Sequence, residues 1–213
     1  MIMMQKERDS WLKRRIMKLT MLEKRAVNGP RQAAQTAATA LELLENVELP
    51  EHPTCLELGC GQGALARLMV ERFGARMTAT DFDPAQVRLA ASRLGDLGER
   101  VTFRVVDARA LPFHDGEFDA VFSLVVMHHI PGGWRQVVAE ASRVLHSKGL
   151  FVFTDLYLPR GFAWIFGKLF PRFDQLAFDP LKEALGENGL KIMYHTQEIR
   201  GGMAFGKTIA SKA

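Results

Sequence analysis

The segment that most restricts the fold is a glycine-rich loop between an apolar run and a helical pattern. The run 54–58 ends in three alternating glycines, Gly59, Gly61 and Gly63, and apolar residues at helical spacing follow from Ala64. Glycine accepts the positive φ of a tight turn and brings unhindered backbone N–H groups to a ligand, while a helix N-terminus favours negative charge. The sequence therefore predicts a strand, a turn and a helix that hold a nucleotide-like cofactor.

The spacing of these glycines fits two classes of cofactor. Gly59, Gly61 and Gly63 read as G-x-G-x-G, whereas Gly59, Gly61 and Ala64 satisfy the looser dinucleotide fingerprint. Both classes require an acidic residue near the end of the next strand to accept hydrogen bonds from ribose hydroxyls, and Asp81 fills that place. A nicotinamide-dependent dehydrogenase would also want a Tyr-x-x-x-Lys proton donor, which neither tyrosine provides.

Short apolar strands alternate with helical patterns through most of the chain. Such alternation is typical of a parallel sheet covered on both faces, and 213 residues are enough for one core of this kind. A hairpin joined by Gly201 and Gly202 is predicted to follow the last helix. The predicted strands are 54–58, 76–81, 101–106, 118–124, 149–155, 191–198 and 203–212, and the predicted helices are 31–45, 64–73, 84–94, 134–146 and 179–188.

Four further segments carry a resemblance to a known family. They are 80–84, 106–113, 117–123 and 143–150. Together with the glycine loop, they resemble the class I S-adenosylmethionine-dependent methyltransferases, in particular the branch of quinone and other small-molecule methyltransferases. The resemblance implies an α/β, Rossmann-like, seven-stranded, mostly parallel sheet with one antiparallel edge strand, helices on both faces and additional N-terminal helices. It also implies S-adenosylmethionine as the cofactor and S-adenosylhomocysteine as the product.

The same resemblance implies roles for individual residues. Glu57 would lie near the methionine ammonium of the cofactor, Asp81 would accept from the ribose hydroxyls, and Phe82 would form an apolar wall of the adenine pocket. Asp107 would accept from the adenine amino group. The full set of predicted cofactor contacts is Glu57, Gly59, Cys60, Gly61, Gly63, Asp81, Phe82, Asp107, Ala108 and Ser123.

Structural roles compete with these assignments. Glu57 is also typical of an ordinary strand-end carboxylate, Phe82 of a core side chain and Asp107 of a turn. Asp81 has helix capping as its alternative, although Asp83 is the better N-cap candidate because a proline at the first helical position follows it.

Candidate catalytic residues follow the predicted fourth and fifth strands. His128 and His129 lie just beyond the fourth strand, at the carboxyl end of the sheet, where open α/β folds bind ligands. Adjacent histidines point in different directions, so at most one is expected to face the pocket. A base is required only if the acceptor loses a proton during attack. Tyr157 and Asp155, at the end of the fifth strand, are further candidates.

The N-terminal segment differs in composition from the rest of the chain. Residues 1–31 hold nine Lys or Arg against three acids, a local net charge of +6 in a chain of +4. One face of the predicted first helix is apolar and includes Trp11, and the other is basic. We divide the chain into N-terminal helices, 1–50, that cap the site and a methyltransferase domain, 51–213. A helix packed across the domain, a lid over the substrate and an amphipathic helix on an anionic membrane are the three interpretations.

An apolar insertion at about 157–178 follows the predicted fifth strand. In the family that the chain resembles, this insertion builds the substrate pocket, so its aromatic residues suggest an apolar acceptor or a membrane-facing entrance. A satellite core under the N-terminal helices is the alternative. The predicted substrate pocket comprises Trp11, His128, Tyr157, Phe162 and Trp164.

The sequence thus predicts a methyltransferase acting on a small, apolar or amphipathic acceptor such as a quinone precursor or a lipid amine. The alternatives are an RNA methyltransferase that uses the basic arm and a non-catalytic cofactor-binding partner protein. The sequence argues against a nucleic-acid methyltransferase, because residues 123–126 read Ser-Leu-Val-Val and lack the Asn-Pro-Pro-aromatic motif that is used on exocyclic base amines. Two cysteines offer neither a disulfide framework nor a zinc site, so we expect no metal and a cytoplasmic location, with peripheral membrane contact through the basic helix.

Overall fold

A computed structural model describes residues 28–45, 47–130, 132–157, 177–200 and 203–213. The predicted basic helix, the apolar insertion from residue 158 to 176 and the two glycines of the hairpin lie outside these ranges. The described strands are β1 (Thr54–Leu58), β2 (Arg76–Asp81), β3 (Val101–Val105), β4 (Phe118–Leu124), β5 (Leu145–Tyr157), β6 (Leu190–Arg200) and β7 (Met203–Lys212). The described α-helices are α1 (Pro30–Leu44), α2 (Ala64–Phe73), α3 (Pro84–Arg93), α4 (Trp134–Val144) and α5 (Phe178–Glu187).

The seven strands form one sheet in the order β3-β2-β1-β4-β5-β7-β6. Strands β1 to β5 pair in parallel, and β7 pairs antiparallel with both β5 and β6 in the edge hairpin. The predicted fold class is confirmed. The chain runs outward from β1 to β3 and then returns to β4, so the strand order reverses between β1 and β4, the point at which such sheets bind ligands.

Side chains of alternate strand residues feed two hydrophobic cores. One core lies under α1, α2 and α3 and contains Leu43, Leu65 and Met69. The other lies under α4 and α5 and contains Val137 and Leu181. Because both faces of the sheet are covered, the central strands are almost fully buried, as in β1, where four of five residues are buried.

The observed bounds agree with the predicted ones to within two residues, except at the start of β5. Strand β5 begins at Leu145, four residues before the predicted start, because Leu145 already pairs with Phe118 of β4. The pairing register then shifts before Leu150, and Lys148, between the two, has a positive φ. The strand ends two residues late because β7 pairs with it as far as Tyr157. No helix in the described part of the chain is long and apolar enough to cross a membrane.

Candidate functional site

A cavity of about 420 Å³ opens at the carboxyl ends of the central strands, on the face covered by α1. Its size is within the usual range for a small-molecule site. The loop after β1 forms one wall, which we call the glycine-loop wall. Side chains of α1, β5 and β7 form the opposite wall, the helix–hairpin wall: Gln32, Gln35, Thr36, Thr39, Thr154, Phe205 and Lys207.

Backbone conformation shapes the glycine-loop wall. Gly59 and Gly61 have φ of +70° and +51°, which only glycine adopts freely. A Cβ at Gly59 would lie 2.5 Å from the Val126 side chain, so this turn has no room for another residue. The Cys60 N–H donates to the Thr80 carbonyl over 2.8 Å and ties the loop to β2. The two glycines and Cys60, all predicted cofactor contacts, therefore line the cavity.

Gly63, a predicted cofactor contact, has a structural role in the turn. It does not line the cavity, and a Cβ there would collide with the Leu94 side chain. Its φ of +83° begins helix α2 in a left-handed conformation. The third glycine thus allows close packing of α2 against the end of α3.

Glu57 is a buried carboxylate on the cavity wall, 4% exposed. Burial and the nearby charge of Asp81 raise the pKa of Glu57 to about 8, although a hydrogen bond from the Ala66 backbone lowers it in part. Its Oε2 atom has no hydrogen-bond partner in the described structure. A buried acceptor facing a cavity is costly unless a ligand donates to it, so this position fits a cationic donor.

Asp81 lines the cavity at the end of β2 and also supports the loop. Its Oδ2 accepts from the Gly61 N–H over 3.2 Å and its Oδ1 from the Asp83 N–H over 2.8 Å. Asp83, and not Asp81, caps α3, since its side chain accepts from the Ala85 N–H over 2.9 Å. Phe82 and Ala108 line the same region of the cavity.

Two predicted cofactor residues do not line the cavity. The Asp107 carboxylate is held by Arg109, with 2.6 Å between Oδ2 and Nη2, although its neighbour Ala108 reaches the cavity. Ser123 is fully buried in β4 and points to the opposite face of the sheet, because strand residues alternate, while Leu124 faces the cavity.

The predicted histidine pair divides as the sequence indicated, with one member at the cavity. His129 lines it, whereas His128 is 4% exposed and turned away. Asp155, fully buried, holds the turn: its Oδ1 lies 2.6 Å from His128 Nδ1, and its Oδ2 accepts from the Met127 N–H over 2.7 Å. His128 is thus a buried support beneath His129, with 3.9 Å between the ring centroids, and not a residue of the pocket.

Tyr157 also lies away from the cavity. It is buried in the core under α4 and α5 and packs against Gly206 of β7. Burial raises the pKa of Tyr157 well above its usual value, which disfavours a catalytic phenolate. Strand alternation explains the difference, since Thr154 faces the cavity and odd-numbered residues of β5 face the other core. The other predicted pocket residues, Trp11, Phe162 and Trp164, lie outside the described ranges.

Sequence reasoning missed the helix–hairpin wall. On α1, polar residues recur at positions 32, 35, 36 and 39, a stripe with helical spacing that continues along the helix into the buried Ala40, Leu43 and Leu44. That stripe was the available signal. Nothing local marked Phe205 or Lys207, because their partners are distant in sequence.

The residues that line the cavity fit a cofactor with a cationic amino-acid end and a ribose. A buried carboxylate faces the cavity at Glu57, a second carboxylate at Asp81 ends the next strand, and glycines 59 and 61 leave room for close approach.

Comparison with known proteins agrees with this fit. Residues 55–149 match a family model described as a methyltransferase domain. The 27-O-demethylrifamycin SV methyltransferase of Amycolatopsis mediterranei is 35% identical over 105 residues, which are 48% of this chain and 38% of that protein. The 2-methyl-6-phytyl-1,4-hydroquinone methyltransferase of Synechocystis sp. is 36% identical over 108 residues, 50% of this chain and 33% of that protein. The chain spans well under half the length of these relatives.

Solved structures give the same fold over most of the chain. The geranyl diphosphate C-methyltransferase from Streptomyces coelicolor A3(2), in complex with Mg²⁺, geranyl diphosphate and S-adenosylhomocysteine, superposes with a TM-score of 0.73 at 16% identity, covering 88% of this chain and 89% of that one. The predicted resemblance to S-adenosylmethionine-dependent methyltransferases is therefore confirmed over the matched residues 55–149, and the fold of the chain is that of solved methyltransferases, one of which is in complex with S-adenosylmethionine.

Proposed function

We propose that the protein is an S-adenosylmethionine-dependent methyltransferase that methylates a small, apolar or amphipathic acceptor. The proposed acceptor class comprises quinone precursors, lipid amines and similar metabolites. The observation that carries this proposal is the cavity at the β1/β4 reversal, where the glycine loop, Glu57 and Asp81 meet. The named activities of the relatives, on a rifamycin and on a hydroquinone, support a small-molecule acceptor.

The glycine-loop wall would hold the cofactor. Glu57 accepts from the methionine ammonium, Asp81 from the ribose hydroxyls, and Phe82 and Ala108 enclose the adenine. The bound cofactor supplies a sulfonium whose methyl group is already electrophilic. The chain's own contribution is to align the acceptor and exclude water, and orientation of this kind lowers a barrier by up to about 7–11 kcal/mol.

His129 is the base in this proposal when the acceptor must lose a proton. Its ring lines the cavity, and the buried Asp155–His128 pair fixes the turn that carries it. Acceptors that keep their protons until after transfer need no base, and His129 then serves as a wall of the site.

Helix α1 caps the site in this proposal, together with the segment before it. Reciprocal amide hydrogen bonds join Asn28 and Gln86, and Gln62 donates to the Gly29 carbonyl over 3.1 Å. These contacts tie the start of α1 to the glycine loop and α3. Peripheral membrane contact through the basic N-terminal segment is part of the same proposal. It predicts that labelled methyl groups enter the lipid fraction of a cell extract.

The cofactor assignment is tested by calorimetry with S-adenosylhomocysteine. Asp81→Ala removes the ribose acceptor and the support of the Gly61 N–H, so we expect affinity to fall by about 10- to 100-fold. Asp96→Ala, at an exposed carboxylate that pairs with Arg67, is the matched control and should bind normally. Equal affinity in the Asp81 variant and the control would refute the assignment.

The acceptor class is tested by methyl transfer from labelled S-adenosylmethionine into a cell extract that is then fractionated. Label in the lipid or the aqueous small-molecule fraction supports the proposal, and lipid label also supports the membrane-facing entrance. Label in RNA would favour the nucleic-acid alternative. Tight cofactor binding with no label in any fraction would favour a non-catalytic partner protein.

A further inference from the structure

A buried lysine lies on the helix–hairpin wall. Lys207 of β7 is 2% exposed and lines the cavity. Its Nζ lies 2.6 and 2.7 Å from the two carboxylate oxygens of Glu42 on α1 and 2.6 Å from Oε1 of Glu198 on β6. Burial alone would lower the pKa of Lys207, but the hydrogen bonds to Glu198 and Glu42 raise it overall, so the ammonium stays charged.

Other contacts also hold α1 and β7 in place. Helix α1 is anchored by the buried side chains of Ala40, Leu43 and Leu44, and β7 is paired along its length with both neighbours. A buried ion cluster is seldom more stabilising than an apolar side chain of the same size, such as methionine. An ammonium on a cavity wall therefore points to a ligand.

Its neighbours describe the ligand. Phe205 lies on the same face of β7 as Lys207, two residues earlier, and Thr154 is the register partner of Lys207 on β5. Thr39 lies one turn before Glu42 on α1. All three residues line the cavity. An ammonium and hydroxyl groups beside an aromatic ring and apolar residues form a subsite for a polar oxygen on an apolar body.

We propose that Lys207 is a specificity-determining residue that donates a hydrogen bond to an oxygen atom of the methyl acceptor. The acceptor class is then a phenol, enol, alcohol or carbonyl compound with an apolar body, and not an amine or a hydrocarbon. This inference rests on the proposed function, because it assigns the acceptor end of the same cavity.

The carboxylate arrangement makes an N–H group available at small cost. Glu42 uses both oxygens on the ammonium, so it can release one oxygen and keep the other. Its side chain is 46% exposed, so water can solvate the released oxygen. The ammonium keeps a carboxylate on each side while one N–H turns to the acceptor, and no buried charge is left without a partner.

The test uses three nearly isosteric probes, phenol, aniline and toluene, titrated by ligand-observed NMR onto the full chain saturated with S-adenosylhomocysteine. We expect phenol to bind about tenfold more tightly than toluene or aniline, as for one hydrogen bond to a charged group. In Lys207→Met this preference should disappear, while affinity for S-adenosylhomocysteine stays unchanged. Lys212→Met is the control and should keep the preference. Lys212 lies on the same strand, and its ammonium donates a hydrogen bond to the Leu145 carbonyl.

A second variant tests the inference in the opposite direction. Glu42→Gln, at a half-exposed position, releases the ammonium from one carboxylate and should tighten phenol binding about threefold. Equal binding of the three probes, or a phenol preference that survives in Lys207→Met, would overturn the inference. Weaker phenol binding in Glu42→Gln would do so as well. Failure of the wild-type chain to bind S-adenosylhomocysteine would instead refute the proposed function.

Discussion

The two walls of the cavity are built in different ways. The glycine-loop wall consists of backbone held at positive φ and of carboxylates at the ends of β1 and β2, all within adjoining elements. The helix–hairpin wall consists of side chains from α1, β5 and β7, joined by the Glu42–Lys207–Glu198 cluster. Backbone and buried acids give a wall whose shape changes little with sequence, which suits an invariant cofactor. Side chains give a wall that substitution can remodel, which suits an acceptor that differs between relatives.

The largest expected effect comes from the turn where the two walls meet. Asp155→Ala leaves His128 and the Met127 N–H without their buried acceptor, so we expect a loss of about 3–5 kcal/mol in the free energy of unfolding. Urea denaturation measures it. Asp115→Ala, at a surface ion pair with Arg143 whose carboxylate is 80% exposed, should cost no more than about 1 kcal/mol. Similar losses in both variants would show that the turn does not depend on the buried pair.

An intermediate effect is expected on the glycine-loop wall. Gly59→Ala must hold an alanine at φ +70° with its Cβ 2.5 Å from Val126, so we expect the affinity for S-adenosylhomocysteine to fall about 100-fold. Gly186→Ala, in α5 with open space around it, should bind normally and gain about 0.5–1 kcal/mol in stability. If Gly59→Ala bound the ligand normally, the glycine-loop wall would be less rigid than we infer.

The smallest effect concerns the pH dependence of the same wall. The pKa of Glu57 is raised from an ordinary 4.5 to about 8, so the folded chain binds this proton more tightly than the unfolded chain. Its contribution to stability is greatest below pH 4.5 and falls as the pH rises to about 8. A cationic ligand favours the ionised carboxylate, so affinity should rise with pH, by at most about tenfold per unit, up to about pH 8.

Calorimetry at pH 7 in buffers of different ionisation enthalpy measures this coupling. We expect about one proton to be released when S-adenosylhomocysteine binds to the wild-type chain. Glu57→Gln should bind more weakly and release none, whereas Glu99→Gln, at an exposed position, should behave as wild type. Proton release that persists in Glu57→Gln would assign the coupling to another group.

The same difference between the walls explains what the sequence could predict. The loop chemistry lies within eight consecutive residues, so a local pattern was enough to place Gly59, Gly61 and Glu57, and apolar periodicity gave nearly all strand and helix bounds. Lys207 meets Glu42 across 165 positions of sequence, and no local pattern marks such a pair. Ser123 and Tyr157 do not line the cavity for one reason: the sequence located the end of each strand, but not the face to which each side chain points.

The two cysteines have a practical consequence for experiments on this molecule. Both are buried, and burial raises the pKa of each thiol well above its usual value, so neither carries a useful fraction of thiolate at neutral pH. A single cysteine introduced on the exposed face of α1, for instance at Gln35, can therefore be labelled selectively in the otherwise native chain. A fluorophore attached there would report on ligand entry and release in real time.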